Sequence, residues 1–160
     1  MSTFLRLLLA VSLPILIGGL SSVATARGVQ DWYPSLIKPS FNPPAWVFGP
    51  VWTLLYIMMG IAAFLVWEKG PDRDLVRAGL ILFGVQLALN GLWSVLFFGM
   101  RLPGVAFAEI ILLWGAIAIT AFLFWRSVPA AGLLLLPYLA WVSFAAILNG
   151  SIWILNAPSR

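Results

Sequence analysis

The sequence is 160 residues long, 62% of its residues are apolar, and it carries nine Lys or Arg and five Asp or Glu. The charged fraction is only about a third of that of an ordinary soluble domain. The polar residues are therefore too few to cover the surface of a water-soluble globule, and lipid must be part of the solvent. The absence of Cys and His excludes disulfides, zinc fingers, thiolate or imidazole chemistry and the usual axial ligation of haem iron. The basic residues are scattered along the chain, which argues against nucleic acid as a partner.

The charged residues separate five long apolar intervals. A spanning helix needs about 20 apolar residues, and this criterion predicts helices at 5–26, 44–67, 76–99, 104–125 and 130–154. The connections 68–75, 100–103 and 126–129 are short, which predicts turns between adjacent antiparallel helices. The predicted fold is therefore all-α, an integral membrane bundle of five transmembrane helices with up-and-down topology, forming a single domain over 1–160.

The first apolar segment has two interpretations. An early basic residue, an apolar stretch and Ala24-Thr25-Ala26 outline a signal peptide, whereas an apolar run of about 20 residues favours a spanning helix. We expect a helix. The orientation of the bundle stays open, because five Lys or Arg flank one side of it and four flank the other.

Residues 27–43 form a connection unlike the others, because it is long and rich in Pro and aromatic residues. Asn42 followed by Pro43 and Pro44 predicts an N-cap that leads into the second helix. Long loops built from rigid residues are more often lids or binding elements than spacers. We therefore interpret this loop as the cap of a pocket.

The third predicted helix has two distinct stripes. Gln86, Asn90 and Trp93 follow i, i+4, i+7 spacing and share one face. Polar groups inside a membrane usually point into the bundle, so this stripe predicts either interhelical hydrogen bonds or contact with a polar ligand.

The second stripe of that helix consists of Gly84, Ala88 and Gly91. Small residues let another helix approach closely in a membrane. The stripe fits either the interface of a homodimer or a neighbouring helix of the same chain.

Aromatic residues with polar tips recur on two further helices. The fifth helix carries a stripe of Tyr138, Trp141, Ala145 and Asn149, and the second carries Trp52 and Tyr56 on one face. Of the nine Trp, five lie near predicted span ends and fit an interfacial belt. The other four lie deeper: Trp52, Trp93, Trp114 and Trp141. These either pack in the core or wall an apolar cavity for a flat ligand.

Glu109 is the one acidic residue within a predicted span. An intramembrane acid is a functional candidate. The alternative is a carboxylate that reaches the interface or the amino end of its helix.

Three segments resemble the translocator protein and tryptophan-rich sensory protein family, also called the peripheral-type benzodiazepine receptor family. They are Lys38-Pro39-Ser40-Phe41-Asn42-Pro43-Pro44 with Trp52 and Tyr56, Gln86-Leu87-Ala88-Leu89-Asn90 with Trp93, and Pro137-Tyr138-Leu139-Ala140-Trp141 with Asn149. The resemblance covers nearly the whole chain.

The resemblance implies a five-helix membrane protein, commonly dimeric, with a porphyrin-binding pocket beneath the first loop. Animal members also bind cholesterol and synthetic ligands. Matched to this chain, the family's pocket falls on Tyr33, Pro43, Pro44, Trp52, Asn90, Trp93, Trp141 and Ala145. The sterol motif of the animal members needs a Tyr and a basic residue in the fifth helix; Gly150-Ser151-Ile152-Trp153-Ile154 supplies neither. This departure argues against sterol binding and, with the short tail, suits a bacterial member.

The leading hypothesis is a receptor-like membrane protein that binds a tetrapyrrole, protoporphyrin IX or haem, against the inner Trp residues. It requires no cofactor and no metal site, and metal-free porphyrin should bind comparably to haem. The resemblance also suggests roles in tetrapyrrole transport or stress regulation, and light-dependent porphyrin breakdown in which Trp52 and Trp141 take part. Two alternatives remain: a transporter of small hydrophobic ligands with Glu109 as a proton-coupled group, and a ligand-dependent stress sensor that acts through partners.

Overall fold

The computed structural model describes residues 2–157, and within that range the chain is helical without any strand. The α-helices are α1 (Thr3–Arg27), α2 (Ala45–Trp67), α3 (Asp74–Ser94), α4 (Pro103–Ser127), α5 (Pro129–Leu134) and α6 (Leu136–Leu155). A π-helical turn continues α1 over Gly28–Trp32 and another continues α3 over Val95–Gly99. A 3₁₀ turn follows at Tyr33–Ser35.

Five helical segments are long and apolar enough to cross a membrane, as the charge pattern predicts. They are α1 with its extension, α2, α3 with its extension, α4, and α5 together with α6. The fifth segment is divided at Leu135 because Pro137 has no N–H to donate to the carbonyl of Leu133. The chain is therefore an all-α, five-span membrane protein.

The predicted 27–43 loop is shorter in the structure than in the sequence analysis. Helical backbone continues from α1 to Ser35, and the N–H of Tyr33 closes the π turn on the carbonyl of Gly28. Only residues 36–44 are irregular. Gly28 lets the start of this extension pack directly on the backbone of Phe98, where a Cβ would overlap the carbonyl oxygen.

The helices form a closed ring in the order α1, α2, α5 with α6, α4, α3 and back to α1. The first segment therefore closes the ring, as its interpretation as a spanning helix requires. The short turn between α2 and α3 does not make them each other's main neighbours: α2 packs mainly on α1 and α3 mainly on α4, with a smaller contact between α2 and α3. Gly60 lets α1 and α2 approach closely, since a Cβ there would lie 2.5 Å from Cα of Val11.

The dense core fills the half of the bundle near the 68–73 and 128 turns. Met59, Leu87 and Ile117 have no exposed surface, and the rings of Phe83 and Phe124 stack with centroids 5.7 Å apart. Large apolar side chains cover the outer face, as expected for a surface in contact with lipid. The other half of the bundle, under residues 33–43, is not filled.

Candidate functional site

A cavity of about 850 Å³ occupies the unfilled half of the bundle. It lies between α1, α2, the end of α3 and α6, and is covered by the segment from Tyr33 to Pro43. Pockets for small molecules usually measure about 300–1,000 Å³ and are mostly apolar. The size and position of this cavity match those of a ligand site.

Indoles from three helices wall the cavity. Trp52 stacks on Tyr56 with centroids 5.4 Å apart, and the ring of Trp141 stands perpendicular to Trp52 at 6.5 Å. Trp93 stacks on Phe97 at 5.2 Å. These rings come from α2, α6 and α3, so the walls depend on the helix ring rather than on any single element.

The floor of the cavity is a chain of hydrogen bonds through Asn90. The hydroxyl of Tyr56 donates to Oδ1 of Asn90 over 2.9 Å, and Nδ2 of Asn90 donates to the hydroxyl of Tyr138 over 3.1 Å. Asn90 and Tyr138 are buried beneath Tyr56 and do not line the cavity. In this structure each of the two side chains satisfies the polar group of the other.

A second hydrogen-bonded bridge closes the side of the cavity. Nε1 of Trp93 donates to Oδ1 of Asn149 over 3.0 Å, and Nδ2 of Asn149 donates to the carbonyl of Pro103 over 2.8 Å. This bridge joins α3, α6 and the start of α4. Trp93 of the polar stripe thus makes an interhelical hydrogen bond, as one interpretation of the stripe predicted. Trp93 and Asn149 also line the cavity.

The cap is held by short polar contacts. The hydroxyl of Tyr33 donates to Oδ1 of Asn42 over 2.7 Å. Asn156, at the end of α6, accepts from the N–H of Ile37 over 2.9 Å and donates to its carbonyl over 2.8 Å. The cap is therefore tied to itself and to the opposite helix.

Most of the residues predicted for the site line the cavity. Those that do are Tyr33, Pro43, Trp52, Tyr56, Trp93, Trp141, Ala145 and Asn149. Those that do not are Pro44, Gln86, Asn90 and Tyr138. Pro44 is exposed just before α2, and Gln86 lies in the core below Asn90, where its Nε2 is 4.0 Å from Sδ of Met59.

Two other predicted residues lie outside the cavity. Trp114 faces outward from α4 and donates to Oγ of Ser143 over 2.8 Å, so it is not a wall. Glu109 is buried on α4, and neither carboxylate oxygen has a hydrogen-bond partner among residues 2–157. It does not reach the cavity lining.

The stripe of small residues on α3 divides between two surroundings. A Cβ on Gly91 would lie 3.3 Å from Oγ of Ser21, so Gly91 faces α1 of the same chain. Gly84 and Ala88 are exposed, and a Cβ on Gly84 would have no neighbour within 4 Å. Of the three small residues, only Gly91 is therefore explained by packing against another helix of the same chain.

The sequence analysis missed several lining residues. Lys38, Asn42 and Phe48 come from the cap and the start of α2, and Gly18 and Ser22 come from α1. The signal on α1 is the cluster Gly18-Gly19-Leu20-Ser21-Ser22, whose small side chains interrupt an otherwise apolar span. Small residues at this point leave room for the cavity.

Comparisons with known proteins agree with this architecture. Residues 10–154 match the TspO/MBR family. The chain is 45% identical to a tryptophan-rich protein TspO of Chlorobaculum tepidum, covering 95% of this chain and 96% of that protein. It is 44% identical to a protein of the same name from Archaeoglobus fulgidus, covering 96% and 98%. The chain belongs to the TspO/MBR family.

The similarity extends to animal members of the TspO/MBR family. The chain is 42% identical to the human translocator protein, over 91% of this chain and 85% of the human one. Family membership and five apolar spans make this a multi-pass integral membrane protein, and they support a receptor-like role in the membrane.

Proposed function

We propose that this protein is a membrane receptor that binds a porphyrin in the cavity beneath its cap. The observation that carries the proposal is the convergence of Trp52, Trp93 and Trp141 from three helices on one space of about 850 Å³. Flat aromatic ligands pack well against such rings, because offset or edge-to-face contacts contribute beyond the apolar area they bury.

The main contribution to affinity is burial of the apolar macrocycle, at roughly 25 cal/mol per Å² of apolar area removed from water. The sequence contains no His or Cys, so the proposed site does not depend on axial coordination of iron. Metal-free protoporphyrin IX is accordingly expected to bind about as well as haem.

The closed floor favours a receptor over a carrier. The Tyr56, Asn90 and Tyr138 hydrogen bonds separate the cavity from the dense half of the bundle, where Met59 and Leu87 have no exposed surface. A carrier coupled to protonation of Glu109 would need this acid to face the ligand, and it does not line the cavity.

Quenching of Trp fluorescence by metal-free protoporphyrin IX tests the proposal. We expect saturable quenching of the purified protein, and a dissociation constant raised at least about tenfold by Ala145→Phe, because a ring at this lining position fills the space that the macrocycle needs. Ile147→Phe adds the same ring on the outer face of α6, where residue 147 is 63% exposed, and should change affinity less than about twofold.

Two results would contradict the proposal. One is quenching that rises linearly with porphyrin concentration, as partition into detergent would give. The other is an equal loss of affinity in both Phe variants, which would place the porphyrin on the outer surface.

A further inference from the structure

The cavity has an asymmetric distribution of charge. Its deep end is lined by aromatic and neutral polar side chains such as Trp52 and Tyr56. Among the residues that line it, a single one is charged, Lys38 in the cap. A ligand that fills the cavity therefore meets an apolar interior and one cation at the mouth.

Lys38 is held in place by the cap itself. Its ammonium donates to the carbonyls of Pro34 and Leu36 over 3.1 and 3.0 Å, and lies 5.0 Å from the ring centroid of Tyr33. These contacts use two of its three N–H groups and leave one for a ligand oxygen. Because the side chain is already ordered, binding an anion loses little of its conformational entropy.

The charge of Lys38 is not neutralised by a carboxylate within residues 2–157. The ion pairs in this range join Arg6 to Glu68 and Arg77 to Asp74, both at the opposite end of the bundle. Carbonyl dipoles orient the ammonium but leave its net charge uncompensated. An anionic group at the cavity mouth would complete the set of partners.

We propose that Lys38 selects ligands that carry a carboxylate, so that the ligand is an anionic amphiphile with a flat apolar body. The body lies among the indoles, and the carboxylate meets the ammonium of Lys38 at the mouth. This inference rests on the proposed function and adds the charge of the ligand and the residue that recognises it.

The test compares two ligands of the same shape, protoporphyrin IX and its neutral dimethyl ester, by Trp quenching at pH 7.5. The measured quantity is the ratio of the ester's dissociation constant to that of the acid, for the parent protein and for each variant. Comparing ratios between variants cancels the unequal partition of acid and ester into detergent, because that partition does not depend on the protein.

We expect Lys38→Met to lower this ratio about tenfold, which corresponds to about 1.4 kcal/mol, and Lys38→Arg to restore most of it. Arg27→Met removes an exposed cation from the same end of the bundle that does not line the cavity. It should leave the ratio within about twofold of the parent, because an exposed charge outside the cavity is screened by salt.

Each other outcome has a definite meaning. An unchanged ratio in Lys38→Met overturns the charge selection while leaving porphyrin binding intact. An equal fall in Arg27→Met and Lys38→Met also overturns it, since the effect would then come from the overall potential of that face. If neither porphyrin binds the parent protein saturably, the proposed function itself fails.

Discussion

At the scale of single residues, Gly28 permits the closest contact between helices at the cavity end. It has ordinary right-handed helical angles, φ −62° and ψ −37°, so its backbone does not need glycine. What needs glycine is the approach to Phe98, where the π turns after α1 and α3 meet. Such turns often occur at functional sites, and here residues of both turns, among them Val29 and Phe98, line the cavity.

Gly28→Ala is therefore expected to destabilise the protein by about 1–3 kcal/mol, because the new methyl overlaps a carbonyl oxygen that cannot move without its helix. Thermal unfolding in detergent measures the change. Gly115→Ala is the matched control, since a Cβ there meets nothing within 4 Å, and it should be neutral or slightly stabilising. If both variants unfolded at the same temperature as the parent, the two π turns would be able to move apart and accommodate the new methyl group at little cost.

Periodicity predicted the faces of the site residues but not their depths. Spacing placed Asn90 and Tyr138 on inward faces, and they are inward. They form the cavity floor beneath Tyr56 and do not line the cavity, and they are hydrogen-bonded to each other. The helical repeat shows which face a residue lies on but not which group it contacts there. The sequence could therefore not distinguish a residue that contacts ligand from one that bonds to another helix.

At the scale of elements, the cap, residues 33–43, is joined to α6 by the side chain of Asn156 and by the contact between the rings of Phe41 and Phe144, whose centroids lie 6.3 Å apart. The amide oxygen of Asn156 accepts from the N–H of Ile37, and its amide nitrogen donates to the carbonyl of the same residue. This pairing resembles one rung of a β-ladder in which a side chain replaces the second strand. Because α6 also carries Trp141 and Ala145, the same helix lines the cavity and fastens its cover.

Asn156→Ala should loosen the cap without unfolding the bundle. The variant loses two hydrogen bonds to Ile37 in the cap and one to the carbonyl of Ile152 within α6. Each of the two bonds to the cap is worth about 0.5–1.5 kcal/mol, so amide hydrogen exchange in residues 36–42 should accelerate roughly tenfold and bound porphyrin should dissociate correspondingly faster. Ser151→Ala is the control, because that hydroxyl donates only within α6, to the carbonyl of Ile147. Unchanged exchange in the cap would show that its other contacts, such as Tyr33 with Asn42 and Phe41 with Phe144, are sufficient to hold it closed.

The spans were predictable at this scale, whereas the extension of α1 was not. Intervals between charges identify five apolar segments because lipid excludes unpaired charge. The π turn at Gly28–Trp32 packs at its start on Phe98, which lies far along the chain. A contact of this kind leaves no local pattern, so the sequence indicated an irregular loop where helix continues.

At the scale of the whole molecule, the ring order of the helices creates both the cavity and a free outer face. Short connections require antiparallel helices but do not require that they pack most closely on each other, and here α2 packs mainly on α1 and α3 mainly on α4. In this order Gly91 faces α1, and Gly84 with Ala88 remains on the outer face of α3. Those two residues are the part of the small stripe available to a second copy of the chain.

We propose that a homodimer forms through this face of α3, because close backbone approach at small residues drives association of helices in membranes. Gly84→Leu should then shift the purified protein from dimer to monomer, measured by light scattering during gel filtration. Gly115→Leu, at a glycine of α4 that also has open space around it, should leave the dimer intact. A parent protein that is monomeric at every concentration, or an equal shift in both variants, would contradict an interface at Gly84.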